Sequence, residues 1–259
     1  MTRDTSQSDE SAVQIQAASG LCLGCGYNPD FLNRQDCLPG DTCIRAHSGW
    51  QIDRFLRRHP TEAVHFLADI FWERRAIAAR YAAVDRIYWL KSDSDEVVRR
   101  VVATRLPVEQ LESMRNDPDR EVRLSVAARL PPALLHTMMD DPDYLIRATV
   151  ARRLPHGQLS RMVKDKEREV RKVIAARLPP FVLYLLADDP EPEVRALVAE
   201  RALPDLALRL MQDSEWWVRL IAVNHIPLEQ LQDFIHDSEI EVREAIQSRL
   251  QEHRPENTA

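Results

Sequence analysis

Asp117-Pro118-Asp119-Arg120-Glu121-Val122 decides how this chain folds. The leading Asp is suited to cap free backbone N–H groups, and Pro fits the first helical position, where its missing N–H has no bond to lose. Acidic residues fill the first turn, where the helix dipole favours negative charge. Val122, Val126, Ala127 and Leu130 then fall at helical spacing on one face. Pro131 lacks the N–H that a continuing helix needs and clashes with the preceding turn, so the helix stops near Leu130. Leu135 and Met138 mark a second short helical turn that returns the chain.

The same phrase recurs in both directions. A Val-Arg or Ile-Arg pair stands at Val98-Arg99, Val122-Arg123, Ile146-Arg147, Val170-Arg171, Val194-Arg195, Val218-Arg219 and Val242-Arg243, a constant step of 24 residues. An Asp keeps the beat six residues before each Arg, at Asp93, Asp117, Asp141, Asp165, Asp189, Asp213 and Asp237. Leu-Pro or Ile-Pro follows at Leu106-Pro107, Leu130-Pro131, Leu154-Pro155, Leu178-Pro179, Leu203-Pro204 and Ile226-Pro227, the fifth of them one residue late. Asp69 and Arg75 extend the pattern upstream as a degenerate unit.

Twenty-four residues decide the architecture. The familiar two-helix repeats need roughly 33 to 47 residues. A 24-residue unit has room for one helix of about ten residues and one short 3₁₀-like segment. Such a unit cannot bury its own apolar face, so neighbours must stack into an all-α solenoid. Gln247 stands where earlier units have Ala or Val, as an exposed terminal cap requires.

This punctuation resembles that of the leucine-rich repeat variant proteins, in particular the form with an N-terminal iron–sulfur cluster. The resemblance covers about residues 69 to 250 and implies a right-handed superhelix alternating α- and 3₁₀-helices. The six-residue Asp-to-Arg interval is also similar, more distantly, to the Asp–Arg ladder of HEAT-type repeats.

Two arginine series run through the array. Arg99 and its equivalents are expected to bond the Asp or backbone carbonyls of an adjacent repeat. The second series, Arg105, Arg129, Arg153, Arg177, Arg201 and Arg249, with His225 in one unit, admits a second reading, that it lines a groove for an acidic partner or phosphates. A net charge of −6 weighs against general nucleic-acid binding, which rests on phosphate neutralisation.

All the cysteines, Cys22, Cys25, Cys37 and Cys43, lie within 22 residues. Cys22-Leu23-Gly24-Cys25 sets two thiolates on a tight turn, with Gly24 and Gly26 allowing close backbone approach. Pro39-Gly40 adds the turn that returns the second pair. Four convergent thiolates suit Zn²⁺ or an iron–sulfur cluster. Two disulfides require an oxidising compartment, to which nothing in the chain points. Zinc sites usually have short spacing in both halves, whereas the second half here is C-x₅-C; the compact ferredoxin run is also absent. Spacing alone leans slightly to zinc. The resemblance reverses this and implies a [4Fe–4S] cluster on Cys22, Cys25, Cys37 and Cys43.

Downstream, Ser48 to Leu56 reads as a capped amphipathic helix, and a second helix after Pro60 carries Val64, Leu67, Ile70 and Phe71. Trp50, Trp72 and Trp89 are expected in the core or at the docking of the module on the array. His47, His59 and His65 are read as ordinary histidines. No apolar run approaches the ~20 residues of a membrane span, and Met1 to Gly20 is polar, so the cytosol is the expected compartment.

The chain is therefore expected to comprise a flexible tail (1–20), an iron–sulfur domain (21–67), the repeat array (68–250) and a second tail (251–259). No catalytic constellation is present, and an enzyme is not expected. The expected function is a scaffold for a protein partner, with a redox- or iron-responsive or electron-transferring cluster. The alternatives are a nucleic-acid-binding array and a scaffold with a purely structural zinc.

Overall fold

The computed structural model describes residues 20–252, and among these the regular structure is helical apart from one isolated bridge between Leu38 and Thr42. Helix α1 spans Gly49–Arg58. The main helices of the array follow as α2 (Trp72–Tyr81), α3 (Glu96–Arg105), α4 (Arg120–Arg129), α5 (Tyr144–Arg153), α6 (Arg168–Arg177), α7 (Pro192–Ala199), α8 (Trp216–Val223) and α9 (Ile240–Glu252). From α2 onward each starts 24 residues after the last. Short pieces alternate with them. Pro132–Met138 and Pro180–Leu186, each opened by the second proline of a Pro-Pro pair, are 3₁₀ throughout. Val108–Leu111 is a single α-turn that runs into 3₁₀ at Glu112–Met114. The fold is a helical repeat solenoid. It divides into two compact units, one ending at Arg129 and the other beginning at Leu130.

The core is a set of columns. Val98, Val122, Ile146, Val170, Val194, Val218 and Val242 have no exposed surface, and the Leu before each proline, as at Leu106, Leu130 and Leu154, is equally buried. The late Leu203-Pro204 pair is a real slip of register. Ala202 takes the buried leucine place, Leu203 is 48% exposed, and α7 is shortened to end at Ala199.

The ladder aspartates are not the helix caps that the sequence suggested. In α4 the cap is Asp119, whose Oδ1 accepts the Val122 N–H at 2.9 Å. Asp95 caps α3 and Asp143 caps α5 in the same way. Asp117 instead tightens the preceding turn, accepting the Asp119 N–H at 2.9 Å. Its carboxylate is turned to the arginine of the repeat before it, and Pro118 lies in this turn, ahead of the helix.

The first arginine series joins consecutive repeats as expected. In the first unit, Arg99 donates Nε to Asp117 Oδ2 at 2.8 Å and Nη2 to Oδ1 at 3.0 Å, and its Nη1 bonds Asp93 O at 2.8 Å. Arg75 grips Asp93 likewise. In the second unit the rungs are Arg147–Asp165, Arg171–Asp189, Arg195–Asp213 and Arg219–Asp237. Each is a bidentate fork, the geometry that arginine provides and lysine does not. One aspartate thus accepts from its own turn and from the repeat before it, and so fixes both.

The second series also bonds within the stack. Its guanidinium groups are spent on the C-terminal carbonyls of the helix one repeat back. Arg129 bonds Ala103 O at 2.6 Å and Leu106 O at 2.8 Å; Arg177 bonds Ala151 O at 2.5 Å and Leu154 O at 2.9 Å. Arg105 and Arg201 repeat the contact at Ala79 and Ala175. The last carbonyls of a helix lack intrahelical partners and carry the negative end of its dipole, so an arginine is their natural complement.

Other expectations are amended. Ser48 precedes α1 without a side-chain capping bond. The segment after Pro60 is 3₁₀ over Pro60–Phe66, and Ile70 is 96% exposed. Trp50 and Trp89 are more than half exposed, while Trp72 is partly covered beside Trp50. Arg54 covers the Trp50 ring at 4.6 Å, which shields it without burying it in the core. Gln247 is exposed, as a terminal cap should be. The expected tails lie outside the described residues, except that Gly20 is helical and α9 runs on through Glu252.

The ladder makes stability depend on acid. Asp237 is held below its ordinary value of 3.8 by the Arg219 hydrogen bonds, against the opposing effect of burial, with the Glu239 N–H assisting. Asp93 is also lowered, because Arg75 and the Asp95 N–H outweigh its desolvation. A lowered folded-state value gives stability that is complete above the unfolded value and is lost as pH falls through the folded one. Unfolding midpoints should therefore drop below about pH 4, and Asp237→Asn should flatten that drop in denaturant titrations between pH 5 and 2.

Candidate metal centre

The cysteines stand on two turns beside an aromatic cluster. The Cys25 N–H bonds Cys22 O at 3.2 Å, closing the first turn, and Gly24 takes φ +68° there. Gly24 supplies a left-handed conformation that side chains resist, whereas Gly26 has no positive φ. Beyond Cys25, Tyr27 and Phe31 pack edge-on at 4.7 Å, and both pack on Phe55 of α1. The Tyr27 hydroxyl donates to Glu62 at 2.8 Å. These contacts anchor the long loop from Cys25 to Cys37.

The second pair sits on a hairpin turn. Leu38 and Thr42 exchange backbone bonds at 2.8 and 2.7 Å around Gly40, which has φ +85°. Gln51 of α1 holds the turn, donating Nε2 to Gly40 O at 2.6 Å and accepting the Cys43 N–H at 3.3 Å. Cys37 and Cys43 are buried, at 6% and 3% exposed, whereas Cys22 and Cys25 lie nearer the surface.

All four thiols are free, and they act on one another. Cys37 donates to the Cys43 sulfur, which together with burial and the charges of Cys43, Cys25 and Cys22 pushes Cys37 far up. Cys43 is lowered to about 6 by that hydrogen bond, against burial, with the Arg45 and Ala46 N–H groups and the Arg74 charge adding to the effect. Cys22 is raised by burial and by the charges of Cys43 and Cys25. Among the described residues, no three His, Cys, Asp or Glu side chains are gathered as ligands of a single metal ion.

His59 Nε2 bonds Asp36 O at 3.1 Å, and the His47 ring packs on Phe71 at 5.4 Å. Two contributors escaped the sequence reading. Gln51 ties the cysteine hairpin to α1, a role that no spacing signals. Arg74 stands where every later repeat has Val or Ile, a departure visible once the repeats are aligned. Among the described residues no helix is long and apolar enough to cross a membrane.

Comparison with known proteins places this architecture. Residues 120–143, one repeat unit, match the family described as leucine rich repeat variant. An uncharacterized 27.7 kDa protein in the nifB 3' region of Rhodobacter capsulatus is 36% identical over 91 residues, which cover 34% of this chain and 37% of that one. The match thus spans little more than a third of that relative's length. A solved structure described as a leucine-rich repeat variant with a novel repetitive protein structural motif is 51% identical, with 88% of this chain and 98% of that chain covered and a TM-score of 0.82. An identity this high, spread over nearly the whole of that protein, means that the chain belongs to the leucine-rich repeat variant family.

Proposed function

We propose that this protein is a binding scaffold whose N-terminal module, residues 21–67, carries a [4Fe–4S] cluster on Cys22, Cys25, Cys37 and Cys43 and accepts or passes single electrons beside a protein partner held by the array. One observation carries the reading: four free thiols stand on two turns of one small module, near enough that the charges of Cys43, Cys25 and Cys22 all push Cys37 up. The donor set fits the cluster, since thiolates are its usual ligands and N–H donors to sulfur tune its potential. A cluster of four irons also holds its thiolates further apart than one zinc ion does. The Arg45 and Ala46 N–H groups would serve Cys43, and the half-exposed Cys22–Cys25 turn would lie toward solvent. When bound, the cluster supplies one-electron chemistry; the residues of the chain hold it, shield it and set its charge.

The array supports the binding half of the proposal, because solenoids expose extended surfaces suited to protein partners. The bonds that Arg99, Arg129, Arg177 and their equivalents make within the stack weigh against a nucleic-acid partner. The test is an anaerobic redox titration of the full chain. Dithionite should bleach the visible absorption reversibly with the helical circular dichroism unchanged. Bleaching that does not reverse, or that melts the array, contradicts a redox role.

A further inference from the structure

The 24-residue register gives Arg74 an unusual place. Five residues after the ladder aspartate, the later repeats put Val or Ile, from Val98 to Val242, each with no exposed surface. Arg74 occupies that column in the first repeat with its side chain 12% exposed. A charge is costly there unless it is matched by partners. Part of the match is local: Nη1 donates to both Asp69 oxygens at 2.8 Å. Asp69 is the first aspartate of the ladder, and Arg74 serves it from within the same repeat.

The rest of the guanidinium is turned to the cysteine module. Nη2 donates to Ala46 O at 3.3 Å, and the Ala46 N–H bonds the Cys43 carbonyl oxygen at 3.4 Å. Arg74 and Cys25 line the same cavity, of about 440 Å³, together with Ile44, Arg45, His47 and Phe71. The Nε–H is buried and has no protein partner. A ladder-completing role explains Nη1 and leaves Nη2 and Nε unexplained.

We propose that Arg74 is a positioning residue for the cluster: it holds the Ala46 segment that serves Cys43 and sets a positive charge against the electron that the cluster receives. This rests on the iron–sulfur reading above. Reduction adds one electron from an external one-electron donor, with no bond formed or broken, and a nearby cation stabilises the product. The first helix of the array would then help to set the potential of the module.

The experiment is the midpoint potential of the full-length protein, titrated anaerobically with dithionite, for wild type, Arg74→Met, Arg74→Lys and Asp69→Asn. Arg74→Met should lower the ratio of reduced to oxidised cluster about tenfold at a fixed potential, a shift of about 59 mV to more negative values for one electron. Arg74→Lys, which keeps the charge, should restore most of it. Asp69→Asn, which unmasks the charge, should move the midpoint the other way. Iron and sulfide retained at wild-type levels with equal midpoints in Arg74→Met overturns the inference alone. Should Arg74→Met fail to fold, an Asp69→Asn midpoint at or below wild type overturns it equally. Wild-type protein without iron or sulfide removes the inference together with the reading beneath it.

Discussion

Arg171→Met is expected to lower the unfolding free energy by about 3–5 kcal/mol, the cost of removing one partner of a buried ion pair. Arg171 and Asp189 form a rung in which both residues are buried, at 7% and 6% exposed. The fork is short, with Nε to Oδ2 at 2.6 Å and Nη2 to Oδ1 at 2.9 Å, and Nη1 also bonds Asp165 O at 2.8 Å. Methionine fills a similar volume, so the loss comes mainly from the stranded carboxylate and the carbonyls. Asp189 keeps one donor, the Glu191 N–H at 3.0 Å, which holds the effect within that range. The double substitution Arg171→Met with Asp189→Asn should recover part of the loss, because no buried charge is then left alone. Stability in a solenoid is a sum over repeats and their interfaces, so Arg171→Met should also broaden the denaturant transition as repeats before and after the rung separate. Equal stability of wild type and Arg171→Met would mean that the ladder is ornamental.

Cys37→Ser is expected to abolish the iron and sulfide content of the purified protein. Cys37 is buried, at 6% exposed, and a serine there replaces a soft thiolate by a hydroxyl that holds its proton. Amide exchange should then accelerate across residues 22–46, whose backbone is held mostly by turns and by the Tyr27 and Phe31 rings. Helix α1 should stay protected, because Ile52, Phe55 and Leu56 are wholly buried, and the array from α3 onward should be unaffected. Wild-type iron content in Cys37→Ser would remove Cys37 from the ligand set. Uniform loss of protection would show instead that the module nucleates the whole chain.

The repeat was legible because each unit solves the same packing problem with the same residues. Period, helix positions, the Arg99-type rungs and the exposed Gln247 all follow from that repetition. Two misreadings share a physical cause: a side chain's partner can lie in the neighbouring repeat, where sequence spacing gives no sign of it. Asp117 reads as a cap for its own helix until the rung from Arg99 is seen, 18 residues back. Arg129 reads as free for phosphate until its carbonyls, 26 and 23 residues back, are found. Trp50 reads as core by its size, yet a cation over its face lets it remain at the surface. In the module, the four cysteines and the turn at Pro39-Gly40 were evident, while the tie of that turn to Gln51 depends on side-chain reach that spacing does not encode. The spacing by itself left zinc and iron–sulfur open.

The most direct test of the central claim is the iron, sulfide and zinc content of anaerobically purified protein, read with its visible spectrum. About four irons and four sulfides per chain, with a broad shoulder near ~400 nm, are the expected result for a cluster ligated by four cysteines. A colourless protein with one zinc per chain would contradict the iron–sulfur reading and leave a scaffold with a structural metal.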